Sequence, residues 1–418
     1  MQMEYKLKRI LSWSFYDWAN SAFATTVIAA FFPIFFKEYW SSDIAVTEST
    51  FYLGMANSLA GIIVAVMSPI LGAIADRGGT RKKFLLFFTM MGIVMTGSLY
   101  FVSQGAWIVA IIIYTMATVG FSSGNLFYDS LLLDVAIPQK RDFVSSLGLA
   151  MGYLGGGLLF AFNVIMTLNP EFFGLQSSEH AVRVSFIIVA VWWALFSLPI
   201  LFFVKESKSE KEKDSFFQII ISGFIQIRTT LKDIRRHRTV FLFLAGYWLY
   251  IDGVDTIIRM AVDYGMSIGF DSNSLILALL ITQFVGFPST ILFGKIGEVL
   301  GAKIGIFLAI GVYIGVCIWG YFMKDVSEFY VLAVVIGLVQ GGIQSLSRSL
   351  FSRLIPQDRA AEFFGFYNML GKMAVVIGPI LMGWIGLISG NPRYSILSII
   401  LLFILGAFLL YFVDEKRA

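Results

Sequence analysis

The sequence predicts an all-α integral membrane protein of twelve transmembrane helices in two six-helix halves, and three observations predict it. Apolar residues make up 58% of the 418 and charged residues only 14%, against about a quarter charged in soluble domains. Most of the chain therefore cannot face water. Twelve apolar runs recur, each near the roughly 20 residues that cross a hydrocarbon core. Motifs that follow the second and fourth runs also return, altered, after the eighth and tenth.

The runs lie near 11–36, 51–75, 84–103, 106–134, 143–168 and 183–204, then near 239–265, 273–294, 305–323, 329–350, 363–388 and 394–413. The first follows Lys6, Lys8 and Arg9 but contains Asp17 and Asn20, and no small-residue cleavage site comes after it. It reads as a retained span, not a cleaved signal. Placing the N-terminus in the cytoplasm puts 25 of the 31 Lys and Arg in loops on that side, as the positive-inside rule requires. Both termini are then cytoplasmic. Between the halves, the charged stretch 205–214 leads into Phe217, Ile220, Ile221, Phe224, Ile227, Leu231 and Ile234. That spacing predicts an amphipathic helix on the inner membrane face. The expected organisation is 1–204, a linker over 205–238, and 239–418.

The repeat is read from two motifs. GAIADRGGTRKK starts at Gly72 and GKIGEVLGAKI at Gly294, 222 residues later, aligning Asp76 with Glu298 and Arg81 with Lys303. Ile137-Pro138-Gln139 with Arg141 returns as Ile355-Pro356-Gln357 with Arg359. Parallel six-helix repeats about an axis along the membrane normal are one of the known transporter architectures. Gly72, Asp76, Arg77, Gly79 and Arg81 resemble the loop signature of the major facilitator superfamily between its second and third helices. YDWANSAF at Tyr16–Phe23, QSLSRSLFSRLIP at Gln344–Pro356, EFFGFYNMLGK at Glu362–Lys372 and Gly378-Pro379 resemble one branch, the vacuole-effluxer-like transporters related to the fungal autophagy amino-acid effluxer. The resemblance covers nearly the whole chain and implies efflux of amino acids or similar small metabolites.

Ionisable groups at membrane depth cost several kcal/mol unless they face a cavity or a partner, which makes each a candidate. Span seven carries Asp252, Asp255, Arg259 and Asp263 on one stripe. Asp255 and Arg259, four apart, are placed to pair directly, which leaves Asp252 as the expected proton carrier. A purely structural ion pair is the other reading. Asp17 and Asn20 in span one, Asn125 and Asp129 in span four, and Gln340 and Gln344 in span ten are candidates for substrate or proton contact, or for helix–helix hydrogen bonds. Lys372 in span eleven is a cation at membrane depth. Gating is expected from Asp76, Arg77, Arg81 and Glu298, with Arg348 and Arg353 latching against Asp129 and Asp134. Gly148, Gly152 and Gly155–Gly157 in span five approach an exporter glycine pattern or simply permit close helix packing.

One cysteine, Cys317, allows no intramolecular disulfide, and the two histidines fall in polar stretches. Neither a metal site nor a cofactor is expected, and the chain is not expected to be an enzyme. The expected function is a secondary transporter of a small polar metabolite, working by alternating access as a proton-coupled exporter. A proton-driven uptake permease and a non-transporting sensor are the alternatives. Expected partners are the substrate, protons or another coupling ion and the bilayer, without nucleic acid. The protein is expected to be monomeric and, in a prokaryote, to lie in the cell inner membrane.

Overall fold

The computed structural model describes residues 2–78, 80–136, 141–206, 238–355, 363, 366–367, 370–371 and 375–414, and within them not the side chains of 2–6, 68–78, 133, 141–143, 145–146, 290–291, 293–300 and 352. Lys372, the tripeptide 137–139, residues 356–359 and the amphipathic run 217–234 lie outside the described residues, as do the side chains of Asp76, Arg77 and Glu298.

Lipid offers backbone groups no hydrogen-bond partner, so a chain this apolar satisfies them internally as helices. The first, α1, opens as Gln2–Ala22 and continues through π-helical Phe23–Phe31, the α-turn Phe32–Phe35 and π-helical Phe36–Trp40. Then come α2 (Val46–Gly78), α3 (Arg81–Ser98), α4 (Trp107–Ser130), α5 (Arg141–Leu168) and α6 (Ser178–Phe203). After residues 207–237 follow α7 (Arg238–Ser267), α8 (Ser272–Leu300), α9 (Ala302–Phe322), α10 (Val326–Leu354), α11 (Ile377–Ser389) and α12 (Pro392–Tyr411). Among the described residues eleven helices are long and apolar enough to cross a membrane. The 13 residues of α11 rise only about 20 Å, short of the ~30 Å core. Its expected run began at 363, and the described helix begins only after bends at Val375 and Val376.

By its contacts the chain divides into two compact units, Met1–Ser42 with Ile62–Ile227 and Asp43–Gly61 with Arg228–Ala418. The first part of α2 thus groups with the later helices. Small residues explain why. A Cβ at Gly61 would stand 2.9 Å from the Val375 carbonyl oxygen, and one at Gly54 would run into that of Pro379. Ser58 Oγ also donates to the Val376 carbonyl at 2.8 Å.

Each unit ties its helix ends in the same way. In the first, Lys82 Nζ donates to the carbonyls of Leu201 and Val204 at the end of α6, at 2.6 and 2.7 Å. In the second, Lys303 Nζ donates to those of Tyr411 and Val413 at the end of α12, at 3.1 and 2.5 Å. At the opposite ends, Arg183 of α6 reaches the Tyr100 carbonyl after α3, and Arg393 of α12 reaches those of Tyr321 and Met323 at the end of α9. Cations belong at helix C-termini, where unpaired carbonyls and the helix dipole concentrate negative charge. These pairs make Lys82 the structural counterpart of Lys303, one residue away from the counterpart the sequence alignment gave, Arg81.

Candidate functional site

In the second unit, α7 carries a buried polar stripe. Asp252 is fully buried. Its Oδ2 accepts from Ile377 N at 2.8 Å and its Oδ1 from Gly378 N at 3.0 Å, with Thr256 Oγ1 donating to Oδ1 at 3.2 Å. The carboxylate therefore caps the start of α11, where the first backbone N–H groups have no partner within the helix. Gly378 permits this approach, since a Cβ there would stand 2.8 Å from Asp252 Oδ1. The residue expected to be the less well paired of the two aspartates is thus the better bonded.

Asp255 and Arg259 depart from expectation too. Among the described residues they form no direct ion pair. Arg259 Nη1 donates instead to Asn57 Oδ1 at 3.2 Å, and Asn57 Nδ2 donates to the Leu53 carbonyl at 3.1 Å. A spacing of four permits a pair on a helix without requiring one, and here a neighbouring helix offers the guanidinium an amide. Both Asp255 and Arg259 are half-buried, so an anion and a cation stand on one face of α7 without neutralising each other directly. Further along, the buried Asp263 accepts from Thr50 Oγ1 at 2.7 Å. Tyr250 Oη and Ser347 Oγ share a hydrogen bond at 2.7 Å. Gln340 and Gln344 are half-buried on α10, and Arg348 and Arg353 near its end are exposed.

The first unit has its own cluster. Asn20 Nδ2 donates to Asn125 Oδ1 in a short hydrogen bond, so these two candidates are brought together. Tyr16 Oη and Thr89 Oγ1 are 2.8 Å apart, and Trp13 stacks on Tyr128 at 4.3 Å between centroids while its Nε1 donates to that residue's carbonyl. Asp17 and Asp129 are half-buried. A Cβ at Gly152 would stand 2.6 Å from Ser21 Oγ and 3.3 Å from Asp17 Cγ. One at Gly155 would stand 2.6 Å from Trp18, and one at Gly148 2.8 Å from Trp13. Gly148, Gly152, Gly155 and Gly156 of α5 are therefore packing contacts with α1.

Of the gating set, Arg81 Nη1 pairs with Asp134 Oδ2 at 3.3 Å inside the first unit. The Asp134 carboxylate proposed to latch against Arg348 and Arg353 is thus engaged by Arg81. Glu206, not singled out from the sequence, accepts from Arg81 N at 2.7 Å and Lys82 N at 3.3 Å and caps α3. Asn57 and Thr50 were also missed. Their signal was present, as polar side chains among the small residues of an apolar run, and such residues mark helix interfaces.

Residues 39–136 and 133–418 match the family described as "Vacuole effluxer Atg22 like". The MFS-type transporter YxiO of Bacillus subtilis (strain 168) is 39% identical over 409 residues, covering 97% of this chain and 95% of that one. Autophagy-related protein 22 of Yarrowia lipolytica is 23% identical over 445 residues, covering 86% of this chain and 75% of its own. Among solved structures, a D-xylose-proton symporter superposes with a TM-score of 0.72 at 13% identity over 99% of both chains. The nucleoside transporter NupG does so with 0.69 at 14%, over 97% of this chain and 99% of its own. These structures share the fold, and the relatives and neighbours alike are transporters, not enzymes. The chain belongs to the Atg22-like vacuole effluxer family and is an integral membrane transporter of the major facilitator fold.

Proposed function

We propose that the protein exports a small zwitterionic metabolite, amino acids foremost, by alternating access coupled to protons, with both termini in the cytoplasm. The observation that carries this reading is the separation of Asp255 and Arg259. A half-buried carboxylate and a half-buried guanidinium share one face of α7 without a direct pair. An α-amino acid presents the complementary charges, an ammonium for Asp255 and a carboxylate for Arg259, whose planar fork suits bidentate recognition. Asn57 holds the guanidinium in place, and Asp252, bound to α11, keeps the neighbouring carboxylate out of competition. Asp255 is also the residue we assign to the proton, since a group that releases substrate ammonium is left with a charge that a proton neutralises.

The test is the thermal stability of purified protein across a library of amino acids, amines and carboxylates. A ligand bound only by the folded state stabilises it by RT ln(1 + [L]/Kd), about 2.7 kcal/mol at a hundredfold excess over Kd. Amino acids should raise the melting temperature while their N-acetyl and ester derivatives, each lacking one charge, do not. A response to the derivatives equal to that of the parent compounds would remove the two-charge site.

A further inference from the structure

In the first unit α6 packs against both α1 and α3. One face of it is an exposed apolar ridge of Val191, Leu195, Leu198 and Phe202, whose spacings of four, three and four fall on one line of a helix. From Val191 to Phe202 the ridge rises about 16 Å. That is half of a ~30 Å hydrocarbon core, the depth of one leaflet. Phe87, Met90 and Val94 form a similar exposed ridge on α3, and Lys83 stands one turn before Phe87 on the same line. On α1, Leu7 and Leu11 are exposed, with Lys8 between them in sequence.

Lys8 and Lys83 lie at one end of α6. Lys8 Nζ stands 3.8 Å from the centroid of the Phe203 ring. Lys82, next to Lys83, reaches the carbonyls of Leu201 and Val204. Lys8 and Lys83 are both exposed, and among the described residues neither ammonium pairs with a carboxylate. Acidic side chains at this end are engaged elsewhere. Asp134 pairs with Arg81, and Glu206 accepts from the backbone of Arg81 and Lys82. Near the opposite end of α6 the exposed charges, Glu171 and Glu179, are acidic.

A cation without a counter-charge, standing at the head of an apolar ridge one leaflet deep, matches an anionic phospholipid. The lysine stems lie along apolar surface while their ammonium groups reach the headgroup level, where each adds attraction to an anionic lipid. A free phosphate would use the lysines alone and leave the ridges without a role.

We propose that the α1–α6–α3 face is a docking surface for anionic phospholipid, with Lys8 and Lys83 flanking the end of α6 and taking the phosphate oxygens. The acyl chains lie along the ridges that end at Phe202 and begin at Phe87. The surface does not depend on what is transported. The test is melting of the purified full-length protein in mixed micelles doped with phosphatidylglycerol or, at equal content, phosphatidylcholine. Phosphatidylglycerol should raise the melting temperature by about 2–4 °C and saturate, while inorganic phosphate should not. Lys8→Gln with Lys83→Gln should lose the rise, and Lys324→Gln, an exposed lysine at the end of α9, should keep it. Native mass spectrometry of bound phosphatidylglycerol reads the same surface without reference to stability. Each of Lys8→Gln and Lys83→Gln should weaken that binding about fivefold, one lysine's share of the attraction. Equal melting in the two lipids, an equal rise with inorganic phosphate, or a loss in Lys324→Gln matching that of the double variant overturns the proposal.

Discussion

Asp252 and Asp255 are three positions apart on one helix and live in different surroundings. The first accepts three hydrogen bonds, two from the opening N–H groups of α11. The second faces Arg259 across a gap that Asn57 helps to hold. Asp252→Asn replaces one acceptor oxygen with an amide that cannot accept, so a buried N–H of Ile377 or Gly378 loses its partner. Hydrogen bonds to a charged group are worth about 1.5–3 kcal/mol, and the variant should melt several degrees below wild type. Asp255→Asn leaves that cap intact and should melt near wild type, while losing the stabilisation by amino acids proposed above. Thermal unfolding of the two variants, with and without ligand, separates the roles. If Asp252→Asn melted like wild type and Asp255→Asn did not, the assignment would be reversed. The sequence placed both residues on one stripe but could not divide the work between them, because the decisive partner of Asp252 is a helix start more than a hundred residues away.

Helices α1 and α5 show what glycine does at the scale of an element. Gly148, Gly152, Gly155 and Gly156 each bring α5 against α1, and a Cβ at any of them would stand less than 3.0 Å from a neighbour. At Gly157 nothing lies within 4 Å. Ala at Gly152 or Gly155 must push against Ser21 or Trp18, and overpacking of this kind costs about 1–3 kcal/mol. Gly157→Ala meets no obstacle and should be neutral or stabilising by up to about 1 kcal/mol through helix propensity. Detergent-solubilised yield and melting temperature read both effects; similar behaviour of Gly152→Ala and Gly157→Ala would mean the stripe does not pack as described. Helix existence was legible here because hydropathy and length decide it. The break at the start of α11 was not, since Val375 and Val376 are apolar and continue the run. Nor were the π-helical turns of α1, which keep the same residues in the same apolar surroundings. Polar partners on α2 were hidden for a related reason: a single Asn or Thr in an apolar run declares an interface without saying which helix lies opposite.

For the whole molecule, the duplication read from two loop motifs has a physical counterpart in the lysine and arginine ties that end the helices of each unit. Lys82 and Lys303 secure the ends of α6 and α12, and Arg183 and Arg393 secure those of α3 and α9. Such ties fix which helix ends share a side. In the first unit, Arg9 near the start of α1 donates to the carbonyls of Asp134 and Lys205, while Glu206 bonds the start of α3. The start of α1, the start of α3 and the stretches following α4 and α6 therefore meet at one end, as six successive crossings require. Basic residues collect at that same end, Arg9, Arg81, Lys82 and Lys205 among them. From the positive-inside rule we propose that this end faces the cytoplasm, together with the linker after α6. Cysteines introduced at Ser209 in the linker and near either terminus should react with a membrane-impermeant thiol reagent only in inside-out vesicles. Cysteines at Gly105 and Gly174, in the connections after α3 and α5, should react only in intact cells. The single native Cys317 is buried and leaves the background low. Labelling of Ser209→Cys in intact cells would invert the proposed topology, and with it the proposed direction of transport.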